Sequence, residues 1–193
     1  MRLIKTLSCL LLAPALAGAQ DAPSEGAPLP RVEIVTNLGS FVLELDRERA
    51  PFTVGNFLDY AREGHYSGTI FHRVIHSFVA QAGGYTANMV AKPVERSVVN
   101  ESGNGLTNLR GTIGLARTGE PHSGNAQFYI NLADNPDLNP RPTRWGYTVF
   151  GRVIEGMDVV DEIGQKQTGA GGEFDRDVPL ETIVIERAEI LAE

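Results

Sequence analysis

Arg73 is the residue of this 193-residue chain whose type and setting call most strongly for chemistry. It stands in Phe71-His72-Arg73-Val74-Ile75, an aromatic and β-branched run that continues through Phe78, Val79 and Gln81 to the pair Gly83-Gly84. Such a run reads as strand, bend and strand. Alternation along it puts Phe71, Arg73 and Ile75 on one face and His72 and Val74 on the other. An arginine among large apolar side chains needs a partner, because arginine is seldom buried unpaired. Two arrangements answer that need. One is a structural ion pair or a snorkelling side chain at a sheet end; the other is a cationic fork held over an apolar pocket to grip a polar group of a ligand.

Other candidate groups offer less. His72 and His76 are four apart, a metal-ligand spacing on a helix, but in a strand followed by a bend it gives no shared ligand face. His72 reads as a core histidine with a hydrogen-bonded ring and His76 as a loop residue. His65 and Tyr66 read as surface residues after a helix. His122-Ser123 lacks the nucleophile elbow of a hydrolase. Phe52, Phe57 and Phe150 read as core. No metal and no cofactor is expected.

The elements that must position Arg73 are mostly strands. Val32 to Thr36 and Ser40 to Leu45 alternate around Asn37-Leu38-Gly39, a hairpin signal. Asp46 to Gly64 reads as a helix with Pro51 in its first turn and Phe57, Leu58 and Ala61 at helical spacing. Tyr85 to Asn108 reads as a loop, and its Asn100-Glu101-Ser102 is formally a glycosylation sequon. Gly111 to Arg117, Ala126 to Asn131 and Gly146 to Val153 read as strands, with Gln127 and Tyr129 opposite Phe128 and Ile130. Gly156 to Ile163 reads as a short helix with Gly164 as its left-handed cap, Gln165 to Pro179 as a loop, and Thr182 to Leu191 as a closing strand. About eight short strands with no alternating βαβ pattern favour a closed antiparallel barrel with two helices.

Composition bounds the function. The chain suits one domain. Its formal charge of −7 comes with no Lys/Arg cluster, which excludes nucleic-acid binding through a basic patch. Met1 to Ala19 has a basic start (Arg2, Lys5), an apolar run from Leu7 to Leu16 and the small residues Ala17-Gly18-Ala19. This is the pattern of a cleaved secretory signal peptide, too short for a membrane span. Residues 20 to 30 read as a flexible leader and residues 31 to 193 as the folded domain. Cleavage after Ala19 would leave 15 basic against 24 acidic residues and, since Cys9 is the one cysteine, no thiol. The periplasm is the expected destination, with an extracellular fate as the alternative, no stable membrane anchor, and a monomeric state.

The central stretch resembles the signature of the cyclophilin-type peptidyl-prolyl isomerases: Phe-His-Arg-Val-Ile, then Phe78, Gln81 and the glycine pair. Further motifs follow in the family's order. They are Asn100-Glu101 with Asn104-Gly105-Leu106, Arg110 to Ile113, Ala116-Arg117-Thr118, Gln127 to Asn131, Tyr147 with Val149-Phe150-Gly151, and Glu155-Gly156-Met157. The resemblance implies a closed eight-stranded antiparallel barrel capped by two α-helices. It implies that Arg73 is the catalytic arginine and that Phe78, Val79, Tyr129 and Leu138 line a proline pocket, with Val79 in place of the usual Met and Tyr129 of the usual Phe. Gln81 and Gln127 would hold the peptide by hydrogen bonds, as would the backbone of Ala116, Arg117 and Thr118. Tyr147 stands where the family often has His. Tyr147 and Arg117 resemble the bacterial periplasmic branch. Asp137, before Leu138, departs from the family's usual aromatic, at a position that shapes binding of cyclosporin, and Trp145 on the neighbouring loop is a candidate to fill the gap.

The implied reaction breaks no bond. Rotation about X–Pro loses amide resonance behind a barrier of about 18–20 kcal/mol, and uncatalysed it takes tens to hundreds of seconds, slow enough to limit folding. The implied substrates are proline-containing segments of unfolded or exported proteins. Arg73 would donate to the proline nitrogen as that atom regains its lone pair, with Gln81 orienting Arg73 or the substrate carbonyl. A weakly active chaperone or peptide-docking barrel is the alternative, favoured by Asp137 and opposed by the intact Arg73, Phe78, Gln81 and Gln127. A generic small-ligand barrel would not need these motifs.

Overall fold

The computed structural model describes residues 28–192; the expected signal peptide and most of the leader lie outside them. Eight strands close an antiparallel barrel: β1 (Arg31–Thr36), β2 (Gly39–Leu45), β3 (Thr69–Ile75), β4 (Val79–Thr86), β5 (Thr112–Leu115), β6 (Phe128–Asn131), β7 (Val149–Glu155) and β10 (Val184–Ile190). Around the barrel they run β1-β10-β3-β4-β6-β5-β7-β2. Helices α1 (Pro51–Arg62) and α2 (Met157–Gln165) turn Val54, Phe57, Leu58 and Ala61, and Val160 and Ile163, into the core. Phe57 is the hub, its ring 4.9 Å from Tyr66, 5.6 Å from Phe128 and 5.4 Å from Phe150. The barrel interior is thus filled with side chains, which leaves its outer wall to carry a site.

Several local expectations are corrected. The first helix begins at Pro51, because Asp46 to Ala50 forms a turn in which Asp46 Oδ1 accepts from the Arg49 N–H at 3.0 Å. In α2 the left-handed residue is Gly156 at the N-terminus (φ 74°), whereas Gly164 is helical and packed so closely on Leu132 that a Cβ would come within 2.8 Å of it. Residues 165 to 179 are no plain loop: β8 (Thr168–Gly171) and β9 (Phe174–Pro179) form a separate hairpin. Its glycines and charges hide the alternation, and it is anchored by Phe174 against His72 and Tyr85. His65 and Tyr66 are buried, forming part of the aromatic cluster under α1, while Phe52 is 64% exposed on the helix's outer side.

The most consequential correction concerns the central strand. Phe71 pairs with Ala82 and Arg73 with Gln81, so two steps on β3 match one on β4 and His72 is the extra residue of a β-bulge. The bulge breaks the alternation. Phe71 and Val74 both enter the core, and Arg73 is turned away from Phe71 to share the outer face with Ile75.

Candidate active site

Alternation on β4 and β6 places Ala80, Ala82, Phe128 and Ile130 in the core and therefore Val79, Gln81, Gln127 and Tyr129 on the outer wall. Arg73 reaches the same wall through its bulge. Its guanidinium Nη1 donates to Gln81 Oε1 at 3.3 Å, and Gln81 Nε2 donates to Gln127 Oε1 at 3.0 Å. Arg73 is thus held by a neutral amide, and among the described residues no carboxylate pairs with it. This decides against the structural ion pair. Gln127 lies flat across Gly84, where a Cβ would stand 2.5 Å from its side-chain carbon, so the second glycine of the pair is a space requirement of the site.

The remaining predicted residues surround this chain of amides. Tyr129 faces Gln81 across the β4–β6 ladder and lies over Gly114, its ring carbon 2.2 Å from where a Cβ on that glycine would sit. The Tyr129 and Tyr147 rings meet edge-on at 6.0 Å, and the Tyr147 N–H donates to Leu138 O at 2.9 Å. Leu138 ends a single 3₁₀ turn, Pro136–Leu138. Phe78 stands on the β3–β4 turn, next to Ser77 at φ 56°, and its carbonyl accepts from Leu132 N and Asn135 Nδ2, each at 2.9 Å. Beside Gln81 and Gln127 lies a polar hollow of about 120 Å³ lined by Ala116, Arg117, Thr118, Ser123 and Asn125. Of the ten predicted contact residues, Gln81 and Gln127 are joined to Arg73 by hydrogen bonds, Ala116, Arg117 and Thr118 line the hollow beside them, and Tyr129, Tyr147 and Leu138 are linked to one another next to Gln81.

Three of them also make bonds within the fold. The N–H groups of Ala116 and Thr118 are already engaged, the first with Gln127 O at 2.9 Å and the second with Ser123 Oγ at 3.0 Å. Arg117 turns inward as a staple. It donates to Gly146 O at 3.2 Å, Trp145 O at 2.9 Å and Thr118 O at 2.9 Å, with its guanidinium 4.5 Å over the Tyr147 ring. Asp137 is exposed and ion-paired with Arg141, and the Trp145 ring packs edge-on against His122 at 5.2 Å.

Sequence reasoning missed the groups that hold the rim. Asn100 donates from Nδ2 to Pro121 O at 3.1 Å and Gly146 O at 3.0 Å, and accepts from Ser102 N at 2.8 Å. Both amide hydrogens of the sequon are thus spent on the fold. The buried Asn108, Asn131 and Asn135 and the half-buried Asn139 form a second set behind Tyr129. A surplus of asparagine in the loops was the available signal, since buried amides are kept only where every bond is made. His122 Nδ1 accepts from Asn100 N at 3.0 Å and Ser123 Oγ bonds Glu120 O at 2.7 Å, so these two form no catalytic pair. A hollow of about 570 Å³ lies elsewhere, along β2 and β7; its Glu44 is paired with Arg152 at 3.0 Å, its Asp46 with Arg49 at 3.9 Å, and its Arg110 with Asp161 outside it at 2.6 Å. Among the described residues no cluster of His, Cys, Asp and Glu could hold a metal ion, and no helix is long and apolar enough to cross a membrane.

With this geometry in view, likeness to known proteins is specific. Residues 31–190 match the family described as cyclophilin type peptidyl-prolyl cis-trans isomerase. Peptidyl-prolyl cis-trans isomerase cyp18 of Streptomyces antibioticus is 52% identical over 163 residues, 83% of this chain and 98% of that protein. Peptidyl-prolyl cis-trans isomerase A of Dickeya dadantii is 43% identical, covering 97% of this chain and 94% of its own. A crystal structure of a Cryptosporidium parvum cyclophilin type peptidyl-prolyl cis-trans isomerase superposes with a TM-score of 0.69 at 26% identity, over 86% of this chain and 99% of the other. A second crystal structure of that protein, in the presence of the dipeptide Ala-Pro, gives a TM-score of 0.67 at 25% identity, over 84% and 99%.

Proposed function

This chain belongs to the cyclophilin-type peptidyl-prolyl cis-trans isomerase family, and from that premise we propose that it accelerates X–Pro rotation in unfolded or flexible segments of exported polypeptides. Its activity is peptidyl-prolyl cis-trans isomerisation. The observation that carries the assignment of roles is Arg73 held on the outer wall by Gln81 at 3.3 Å, with no carboxylate among the described residues to neutralise it.

In this reading the proline ring rests against Phe78, Val79, Tyr129 and Leu138, and Arg73 addresses the amide. As the C–N bond twists, the nitrogen pyramidalises and gains a lone pair that the planar ground state lacks. A guanidinium fixed where that lone pair develops stabilises the twisted amide more than the planar one, which is what lowers the barrier. Gln81 fixes the guanidinium's direction. Gln127 and the Ala116 to Thr118 segment hold one flank of the peptide while the other turns. A relative crystallised in the presence of Ala-Pro supports a site sized for Xaa-Pro.

Export rests on the basic, apolar and small-residue sequence of Met1 to Ala19, and the absence of cysteine after it suits an oxidising compartment. The periplasm is the proposed location. The test is refolding of a protein whose slow phase is limited by X–Pro isomerisation, with catalytic amounts of residues 20–193, alongside fractionation of cells making the full chain. The reading expects the slow phase to quicken with the native protein and not with Arg73→Ala, and the exported protein to begin at Gln20. An unchanged slow phase would remove the folding role, and an uncleaved cytoplasmic product would remove the export.

A further inference from the structure

Tyr129 is only 4% exposed, yet it carries a hydroxyl that must find a partner. It finds Asn108, donating to Oδ1 at 2.6 Å. Asn108 is 1% exposed and bonded through its side-chain oxygen, side-chain nitrogen and both backbone groups. Its Oδ1 also accepts from Asn131 Nδ2 at 3.2 Å, its Nδ2 and backbone N–H both donate to Asn139 Oδ1 at 2.9 and 2.8 Å, and its carbonyl accepts from Asn135 N at 2.7 Å. Asn135 donates onward to Phe78 O, and Asn139 adjoins Leu138. Three of the four residues assigned to the proline pocket, on three separate segments, are thus tied to one buried amide.

We propose that Asn108 is a positioning residue for proline recognition: it holds the Tyr129 ring back against Gly114 and so keeps the pocket between Phe78, Tyr129 and Leu138 open. This rests on the isomerase reading of the site. The ring has little choice of place. Gly114 lies directly behind it and Tyr147 beside it. A hydroxyl that loses its acceptor in a buried setting carries a large desolvation cost. With Phe128 and Ile130 facing the core, the way left to the ring is towards the outer face it shares with Gln81, where this reading places a proline. The inference predicts a closed pocket when the acceptor is removed and a reopened one when the hydroxyl is removed too.

The experiment is an NMR titration of the mature protein with a short Xaa-Pro peptide, for the native chain, Asn108→Leu, Tyr129→Phe and the double variant, with amide spectra reporting the fold. Asn108→Leu is expected to raise the Kd roughly tenfold or more, the range that an unsatisfied buried polar group implies. Adding Tyr129→Phe should bring the Kd back to within about threefold of the native value. A purely structural Asn108 would not be rescued by removing one oxygen from Tyr129. Where Asn108→Leu does not fold, Asn108→Ser withdraws the same acceptor with less bulk and is read the same way. A folded variant with native affinity, or a loss that Tyr129→Phe fails to relieve, overturns the proposal. A native protein that binds no proline peptide overturns the reading of the pocket beneath it, a result distinct from both.

Discussion

Gln81 faces Arg73 across the β3–β4 ladder and accepts its guanidinium at 3.3 Å while donating to Gln127 at 3.0 Å. The arginine is thereby aimed without being neutralised. A carboxylate in Gln81's place would hold it more firmly but would spend the charge that the twisted amide needs. Gln81→Leu should therefore lower kcat/KM about three- to tenfold, the worth of one orienting hydrogen bond. The melting temperature should stay within a few degrees, since Gln81 lies outside the core. Peptide exchange rates and thermal unfolding of the same samples check this.

Gly84→Ala separates site geometry from fold. The backbone there is not in the left-handed region, so alanine fits the chain, but its Cβ would stand 2.5 Å from the Gln127 side chain. Gln127 must swing away and give up its bond to Gln81. The expected outcome is a folded protein with kcat/KM reduced by about the same three- to tenfold, with the Gln81 and Gln127 side-chain amide resonances displaced in ¹⁵N spectra.

Glu101 should matter to stability rather than to turnover. Helix α1 has no side-chain cap from its own Ala50. Instead Glu101, far along the chain, accepts from Phe52 N at 3.2 Å, Thr53 N at 2.8 Å and Thr53 Oγ1 at 2.7 Å. A carboxylate on free N–H groups at the positive end of a helix is a strong cap. Glu101→Ala is expected to cost about 1–2 kcal/mol, read as a lower urea midpoint at unchanged m-value.

Acid should weaken the fold through His72. The ring is 2% exposed, packed 4.7 Å from Tyr85, and its Nδ1 has no partner among the described residues. Burial, aided by the neighbouring Arg73 charge, holds its pKa down to about 4, from 6.5. A histidine kept neutral by folding takes up its proton in the unfolded chain first. Its contribution is therefore whole above pH 6.5 and is lost as pH falls from 6.5 towards 4, by about 2 kcal/mol at pH 5 on linkage arithmetic. Burial lowers the His65 pKa as well, which adds in the same direction. Urea midpoints at pH 7 and pH 5 should differ accordingly, and less in His72→Gln.

Much of this was legible beforehand, for physical reasons that also mark the limits. The strands and α1 declare themselves through period-2 and period-3.6 apolar patterns, and the outward Gln127 and Tyr129 follow from Phe128 and Ile130 facing inward. A bulge leaves no mark on such a pattern. Phe71 and Arg73 were therefore expected on one face and are found on opposite ones. The β8–β9 hairpin escaped because its glycines and charges carry no apolar period, and its anchor, Phe174 on His72, is a tertiary contact. The asparagines behind Tyr129 escaped because loop composition gives no hint of which amides are buried. The staple that Arg117 makes escaped too, since only the fold brings Gly146 and Tyr147 beneath it.

The central claim is that Arg73, aimed by Gln81, catalyses rotation of an Xaa-Pro bond. NMR exchange spectroscopy on a short Xaa-Pro peptide, with catalytic amounts of residues 20–193 and of Arg73→Ala, tests it directly. The account predicts cis–trans exchange cross-peaks with the native protein that largely vanish with a folded Arg73→Ala. Equal exchange from the two proteins, or peptide line broadening without any exchange from the native one, would contradict it.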